Sequence, residues 1–150
     1  MSNHTLLQQF KKQVERQGEK PAVIEPGRKI SYSELDMYAG RIAEKMRLSG
    51  VRQNDTVALV LPAGIDAVAA MLASLKLGAA FAALNGRYPK ERLEYIYKDC
   101  SAALVVTPDF FADAGSFEPI EEEAVVSDED AAVLVYTSGS TGNPKGVIID

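Results

Sequence analysis

Residues 56–107 read TVALVLPAGIDAVAAMLASLKLGAAFAALNGRYPKERLEYIYKDCSAALVVT, and this stretch decides the fold. Thr56 to Leu61, Ala79 to Leu84 and Ala102 to Thr107 are continuous apolar runs of strand length, as expected of strands buried on both faces. Between the first two lies Ile65 to Leu77, apolar almost all round, as in a helix covered on most sides, with Gly78 to end it. Between the second and third, Pro89 to Lys98 reads as a helix with proline in its first turn and Leu93 and Ile96 facing inward. Each crossover is long enough to return the chain in parallel. The fold class is therefore α/β, an open and largely parallel sheet flanked by helices.

Upstream, Leu6, Leu7, Phe10 and Val14 recur at helical spacing between Thr5, a candidate cap, and Gly18. Ala22 to Ile24 and Arg28 to Ile30 flank Pro26-Gly27 and read as two short strands joined by a turn. Ser31-Tyr32-Ser33-Glu34 has the S-x-x-E form of a capping box, so a helix starts there. Its apolar face is Leu35, Tyr38, Ala39, Ile42, Ala43 and Met46, and it stops at Ser49-Gly50.

The chain has 150 residues, 47% of them apolar, with 16 basic and 21 acidic side chains, which describes a globular unit with an ordinary core. One cysteine, Cys100, and one histidine, His4, leave no room for a disulfide scaffold or a thiolate zinc site, and make a histidine-dependent triad improbable. Pro108 to Asp130 holds nine acidic residues and no basic one, so the negative balance is local. Its weak periodicity predicts a solvated surface connection with a short strand at Ala124 to Val126. No basic patch interleaved with aromatics suggests nucleic acid, and no basic segment precedes an apolar run at the start. The most apolar stretch, Ala67 to Ala83, falls short of the ~20 clean residues that span a bilayer, so no membrane partner is expected and a cytoplasmic location is.

After the acidic run, Ala131 to Tyr136 is a strand by composition, and Val147-Ile148-Ile149 is another. The ten residues between them are Thr137-Ser138-Gly139-Ser140-Thr141-Gly142-Asn143-Pro144-Lys145-Gly146. Glycines at 139, 142 and 146 let successive amides point the same way, and four hydroxyls and one ammonium add donors that phosphate oxygens accept. Such a link holds an anion, and a mobile loop ordered by its ligand is expected. It is neither a Walker loop, since Pro144 and Gly146 stand where glycine and a hydroxyl residue are required, nor a G-x-G-x-x-G turn. A polar hairpin connection is the plainer alternative, but ten residues exceed what a tight turn needs. A flavin- or dinucleotide-binding domain would need a glycine-rich turn after the first parallel strand, where Pro62-Ala63-Gly64 stands.

Tyr136 to Val147, YTSGSTGNPKGV, resembles the signature loop of the adenylate-forming superfamily, which includes acyl-CoA synthetases, luciferases and nonribosomal peptide synthetase adenylation domains. Ile30 to Leu35, ISYSEL, is similar to that family's L-T-Y-x-E-L box. Leu75 to Asp99 is similar to its L-K-A-G-A-A-Y-V-P-L-D-P-x-Y-P-x-E-R-L-x-Y-M-L-x-D box, in a form closest to amino-acid-activating members, D-alanine carrier-protein ligases among them. Ala82-Ala83-Leu84-Asn85-Gly86 departs from V-P-L-D-P, which predicts a looser turn before the Pro89 helix.

The resemblance implies ATP and Mg²⁺ as cofactors and a carboxylate substrate, an amino acid first. The carboxylate attacks the α-phosphorus, pyrophosphate leaves, and the acyl group passes to the phosphopantetheine thiol of a carrier protein or to CoA. By position, Thr137, Ser138, Gly139, Ser140, Thr141 and Gly142 wrap the β and γ phosphates, and Lys145 adds a point charge or fixes the loop. It also implies an incomplete amino-terminal adenylation domain: residues 1–107 an α/β subdomain, 108–130 the acidic connection, 131–150 strand, phosphate loop and strand. The catalytic lysine, the metal ligands and the substrate pocket are expected beyond Asp150, so the fragment alone is expected to be inactive. An acyl-CoA synthetase fragment and a non-catalytic interaction module are the alternatives.

Overall fold

A computed structural model describes residues 5–127, 130, 132–138 and 144–149. In chain order these form α1 (Leu6–Gln17), β1 (Pro21–Glu25), β2 (Arg28–Ser31), α2 (Tyr32–Leu48), β3 (Thr56–Val60), α3 (Ile65–Lys76), β4 (Ala80–Leu84), α4 (Lys90–Asp99), β5 (Leu104–Val106), two 3₁₀ turns (Pro108–Phe111 and Ala114–Ser116), β6 (Val133–Ser138) and β7 (Pro144–Ile149). The 2-stranded sheet is the antiparallel pair of β1 and β2. The 5-stranded sheet runs in the order β5-β3-β4-β6-β7, parallel except for the last pair. The expected open, largely parallel sheet is thus observed.

The connections explain which helix covers which face. From β3 the chain crosses through α3 to β4 on one side, then through α4 back past β3 to β5 on the other. Right-handed crossovers in opposite directions put their helices on opposite faces. Strand alternation agrees: Val57, Leu59, Phe81, Val106 and Val133 pack with α2 and α3, whereas Ala58, Ala82, Leu84, Val105, Leu134 and Tyr136 pack with Leu93, Ile96 and Tyr97 of α4. On the first face, Leu35, Ile42 and Met46 of α2 and Ile65 of α3 are almost wholly buried. Truncating any of them to alanine costs ~2–5 kcal/mol.

The caps follow the sequence closely. Thr5 accepts from the Gln8 amide while the Gln8 side chain reaches back, a complete capping box. Ser31 accepts from the Glu34 amide at 3.1 Å. Gly50 and Gly78 take positive φ, 103° and 71°, just past α2 and α3. The turn before α4 is closed rather than loosened: Asn85 accepts the Arg87 amide on its side chain at 2.9 Å and the Tyr88 amide on its carbonyl at 3.1 Å. Asparagine thereby supplies the Asx-turn bond that an aspartate would give. Pro89 is the cap of α4, and the helix proper begins at Lys90.

The acidic connection corrects the expectation of a solvated loop. Ala114 is buried, and Phe110 and Phe111 pack against the α2 face of the core. Lys45 of α2 donates to the Phe110 carbonyl at 2.7 Å, and Arg41 to the Phe117 carbonyl at 2.8 Å. Further on, the Ile120 amide donates to the Gly40 carbonyl, the Ala124 amide to the Lys76 carbonyl, and the Gln53 side chain to the Val125 carbonyl. Residues 119–125 are thus a strap laid across α2 and the end of α3. Residues 124–126 form no strand, because the strap's bonds go to helix carbonyls and a side chain rather than to a neighbouring strand.

Candidate functional site

β6 runs parallel to β4 through the pairs Phe81/Val133 and Ala82/Leu134, so its carboxyl end points to the edge of the sheet where the parallel strands end. Open α/β sheets bind ligands at that edge. β7 returns antiparallel in the register Tyr136/Gly146, Thr137/Lys145 and Ser138/Pro144. The ladder therefore reaches further than the expected ten-residue link: Thr137, Ser138, Pro144, Lys145 and Gly146 are strand residues, and five residues, 139–143, join the strands. Backbone pairing does not require apolar side chains, and Pro144 is tolerated as the first residue of an edge strand. Five residues lie within ordinary hairpin length, so loop length no longer argues for function and composition alone carries it.

Among the expected phosphate-binding residues, the register brings the backbones of Thr137, Ser138 and Lys145 together at one end of this hairpin. Gly139, Ser140, Thr141 and Gly142 lie outside the described residues.

Tyr136, which opens the signature stretch, reads in the sequence only as a strand residue. Two positions beyond Leu134 on the same side of β6, it faces α4, and its hydroxyl donates to Asp99 Oδ2 at 2.7 Å. Burial, the Asp99 bond and the nearby Cys100 and Asp99 push its phenol well above the ordinary tyrosine value. Burial likewise pushes the Cys100 thiol up, which keeps it protonated and unreactive at neutral pH. Across the ladder, a Cβ on Gly146 would stand 3.0 Å from Tyr136 Cζ, a contact so tight that any larger residue would make the ring shift.

A second constellation lies on the other face. Lys76 is 3% exposed and holds Asp36 at 2.6 Å and Glu123 at 2.5 Å, and Lys11 approaches the same carboxylates at 3.0 and 3.5 Å. These groups line a cleft of about 370 Å³ under the strap. Burial pushes the Asp36 carboxyl up, but bonds to Lys76 and Lys11 outweigh it and hold the carboxyl below its usual value. The four charges satisfy one another, so the cluster fastens the strap. In the sequence Lys76 stands out only as a charge interrupting an apolar run.

Among the described residues, no group of three or more His, Cys, Asp or Glu could hold a metal ion. Among the same residues, no helix is long and apolar enough to cross a membrane.

Known proteins agree with this architecture. Gramicidin S synthase 2 of Brevibacillus brevis is 34% identical over 164 residues, covering 99% of this chain and 4% of that protein. Malpibaldin synthetase of Mortierella alpina is 35% identical over 157 residues, covering 93% of this chain and 3% of that one. The chain thus spans a small part of the curated relatives it matches. Among solved structures, the Klebsiella oxytoca NpsA N-terminal subdomain in complex with 3-hydroxyanthranilyl-AMSN superposes with a TM-score of 0.85 at 25% identity, over 95% of this chain and 39% of that one. The anthranilate CoA ligase AuaEII in complex with anthranoyl-AMP shares the fold, with a TM-score of 0.90 at 20% identity over 99% of this chain and 36% of that one. The family model described as AMP-binding enzyme matches residues 10–123 and 111–150. With the parallel sheet, its hairpin and the signature stretch in agreement, the chain belongs to the AMP-binding enzyme family.

Proposed function

We propose that this chain is the amino-terminal portion of an ATP-dependent adenylating ligase that activates a carboxylate, an amino acid first, as an acyl-adenylate. The observation that carries the reading is the hydroxyl- and glycine-rich link closing a hairpin at the carboxyl edge of the parallel strands, in a chain of the AMP-binding family. The preference for an amino acid rests on the Y-P-x-E-R-L form of residues 88–93 and on relatives that are peptide synthetases. The fold likeness to an anthranilate CoA ligase supports a second reading, an aryl or acyl carboxylate passed to CoA.

In this reading Thr137, Ser138, Gly139, Ser140, Thr141 and Gly142 supply amides and hydroxyls to the β and γ phosphates, and Lys145 a point charge. As the carboxylate oxygen bonds to the α-phosphorus, the bond to the bridging oxygen breaks and negative charge grows on departing pyrophosphate. Donors already in place stabilise that charge more than they stabilise bound ATP, which is what accelerates the step. Mg²⁺, when bound with the triphosphate, neutralises part of the same charge. The acyl group then passes to a phosphopantetheine or CoA thiol. A cytoplasmic location suits a chemistry that consumes ATP.

The test is exchange of radiolabelled pyrophosphate into ATP by the product of the full open reading frame, with the proteinogenic amino acids and anthranilate as probes. Exchange dependent on one of them is expected. No exchange with any would remove the adenylation reading, and dependence on anthranilate alone would favour the second.

A further inference from the structure

We propose that Tyr136, through its bond to Asp99, is a positioning residue that sets the orientation of the hairpin carrying the phosphate-binding link. The inference rests on the adenylation reading and adds to it a residue outside the binding loop.

The hairpin overhangs its sheet. Among the described residues, β6 pairs with β4 through Val133 and Leu134, and beyond that point residues 135–138 have β7 as their ladder partner. β7 is the edge strand, so it cannot brace the overhang from its own far side. Among the described residues, Tyr136 Oη donates to Asp99 Oδ2 at 2.7 Å, a hydrogen bond that joins the overhang to α4. A bond this short to a carboxylate is charge-assisted and directional.

The surroundings are shaped for it. Gly146 has no Cβ, so the tyrosine ring lies across the ladder toward α4. Asp99 is the last residue of α4, where a negative charge opposes the helix dipole. Helix stability therefore does not account for a carboxylate there, whereas the phenol does. An apolar ring would fill the same space against Leu134 and Tyr97, so the hydroxyl answers to its polar neighbours, Asp99 at 2.7 Å and the adjacent Cys100.

Transition-state donors must be held to a fraction of an ångström, and misplacing them by about 1 Å can cost ~100-fold in rate. Losing the tether leaves every donor present but less well held. The test uses the full open-reading-frame product with Tyr136→Phe, Asp99→Ala and Asp99→Asn, in the pyrophosphate exchange described above and in amide hydrogen exchange over residues 133–149. Tyr136→Phe and Asp99→Ala are expected to lower kcat for exchange about tenfold, with KM for ATP within about twofold, because the loss falls on the transition state. Amides of the hairpin should exchange roughly tenfold faster in both. Asp99→Asn keeps an acceptor and should restore most of the rate and protection. A Tyr136→Phe protein within about twofold of wild type in both measurements, or Asp99→Asn as impaired as Asp99→Ala, would overturn the proposal. If the wild-type protein exchanges with no probe, the adenylation reading fails, and unchanged amide protection in the variants would separately overturn the tether.

Discussion

Lys76 sits 3% exposed at the end of the most apolar helix of the chain and donates to Asp36 of α2 at 2.6 Å. The same ammonium holds Glu123 of the strap at 2.5 Å, so one buried charge joins α2, α3 and the connection that leads to β6. Removing it strands two carboxylates that are only 20% and 30% exposed. Lys76→Met is expected to destabilise the protein by about 2 kcal/mol, less than the ~3–5 kcal/mol of a fully buried broken pair, because Lys11 remains beside both acids. Denaturant unfolding of the variant measures this. Adding Asp36→Asn and Glu123→Gln should recover part of the loss, since the two carboxylates left without Lys76 are then neutral and Lys11, 39% exposed, is reached by solvent.

The same cluster sets a pH dependence. Burial pushes the Asp36 carboxyl up, yet Lys76 and Lys11 hold it below its ordinary 3.8. A depressed carboxyl contributes stability that is present above the unfolded value and is lost as pH falls through the folded one. Asp36→Asn should therefore flatten the acid limb of stability between about pH 5 and pH 2. Lys11 has the opposite sign. Burial lowers it, but Asp36 and Glu123 raise it above 10.5 overall, so its contribution is present below that value and lost as pH climbs through the raised one. Lys11 is 39% exposed, so solvent screening keeps this alkaline effect small. Unfolding midpoints across pH, with Asp36→Asn as the control, check both limbs.

Gly40 predicts a different kind of loosening. It lies in the middle of α2, where alanine would gain ~1 kcal/mol of helix propensity. A Cβ there would stand 2.9 Å from Pro119 Cβ and 3.4 Å from its Cα, and the next residue, Ile120, is bonded to the Gly40 carbonyl. The proline ring cannot swing aside as a flexible side chain would, so the strap must lift. Gly40→Ala is expected to be destabilising despite its better propensity, by about 1 kcal/mol net, with faster amide exchange at Ile120. A stabilised Gly40→Ala protein would show that the strap gives way freely.

Much of the fold was legible because its signals are local. The apolar runs at 56–61, 79–84 and 102–107, the cap at Ser31 and the stops at Gly50 and Gly78 each announce themselves within a few residues. The strap did not, because Lys76 and Glu123 lie 47 residues apart and nothing in either neighbourhood marks the other. The 3₁₀ turn at Pro108–Phe111 hid in an acidic segment whose charge suggested full solvation, while Phe110 and Phe111 were turned inward. At the candidate site, composition exposed the link, and the overestimate of its length arose because hydroxyl residues pair in a ladder as readily as apolar ones. Its root was invisible, since Tyr136 meets Asp99 across 37 residues.

The last prediction concerns the link itself. Within the adenylation reading, Ser140 contributes a hydroxyl and Lys145 a charge to the outer phosphates. A hydroxyl in place for the departing pyrophosphate acts mainly in the transition state, so Ser140→Ala should lower kcat for pyrophosphate exchange by ~10- to 100-fold, with KM for ATP nearly unchanged. A lysine charge attracts the triphosphate before and during reaction, so Lys145→Ala should raise KM for ATP and lower kcat together. Its effect should shrink as ionic strength rises, because salt screens a charge and not a neutral donor. Lys145→Arg keeps the charge without the compact ammonium and should restore binding of ATP more than turnover. Rates unchanged in both alanine variants would remove the phosphate role from this hairpin while leaving the fold and the family as they stand.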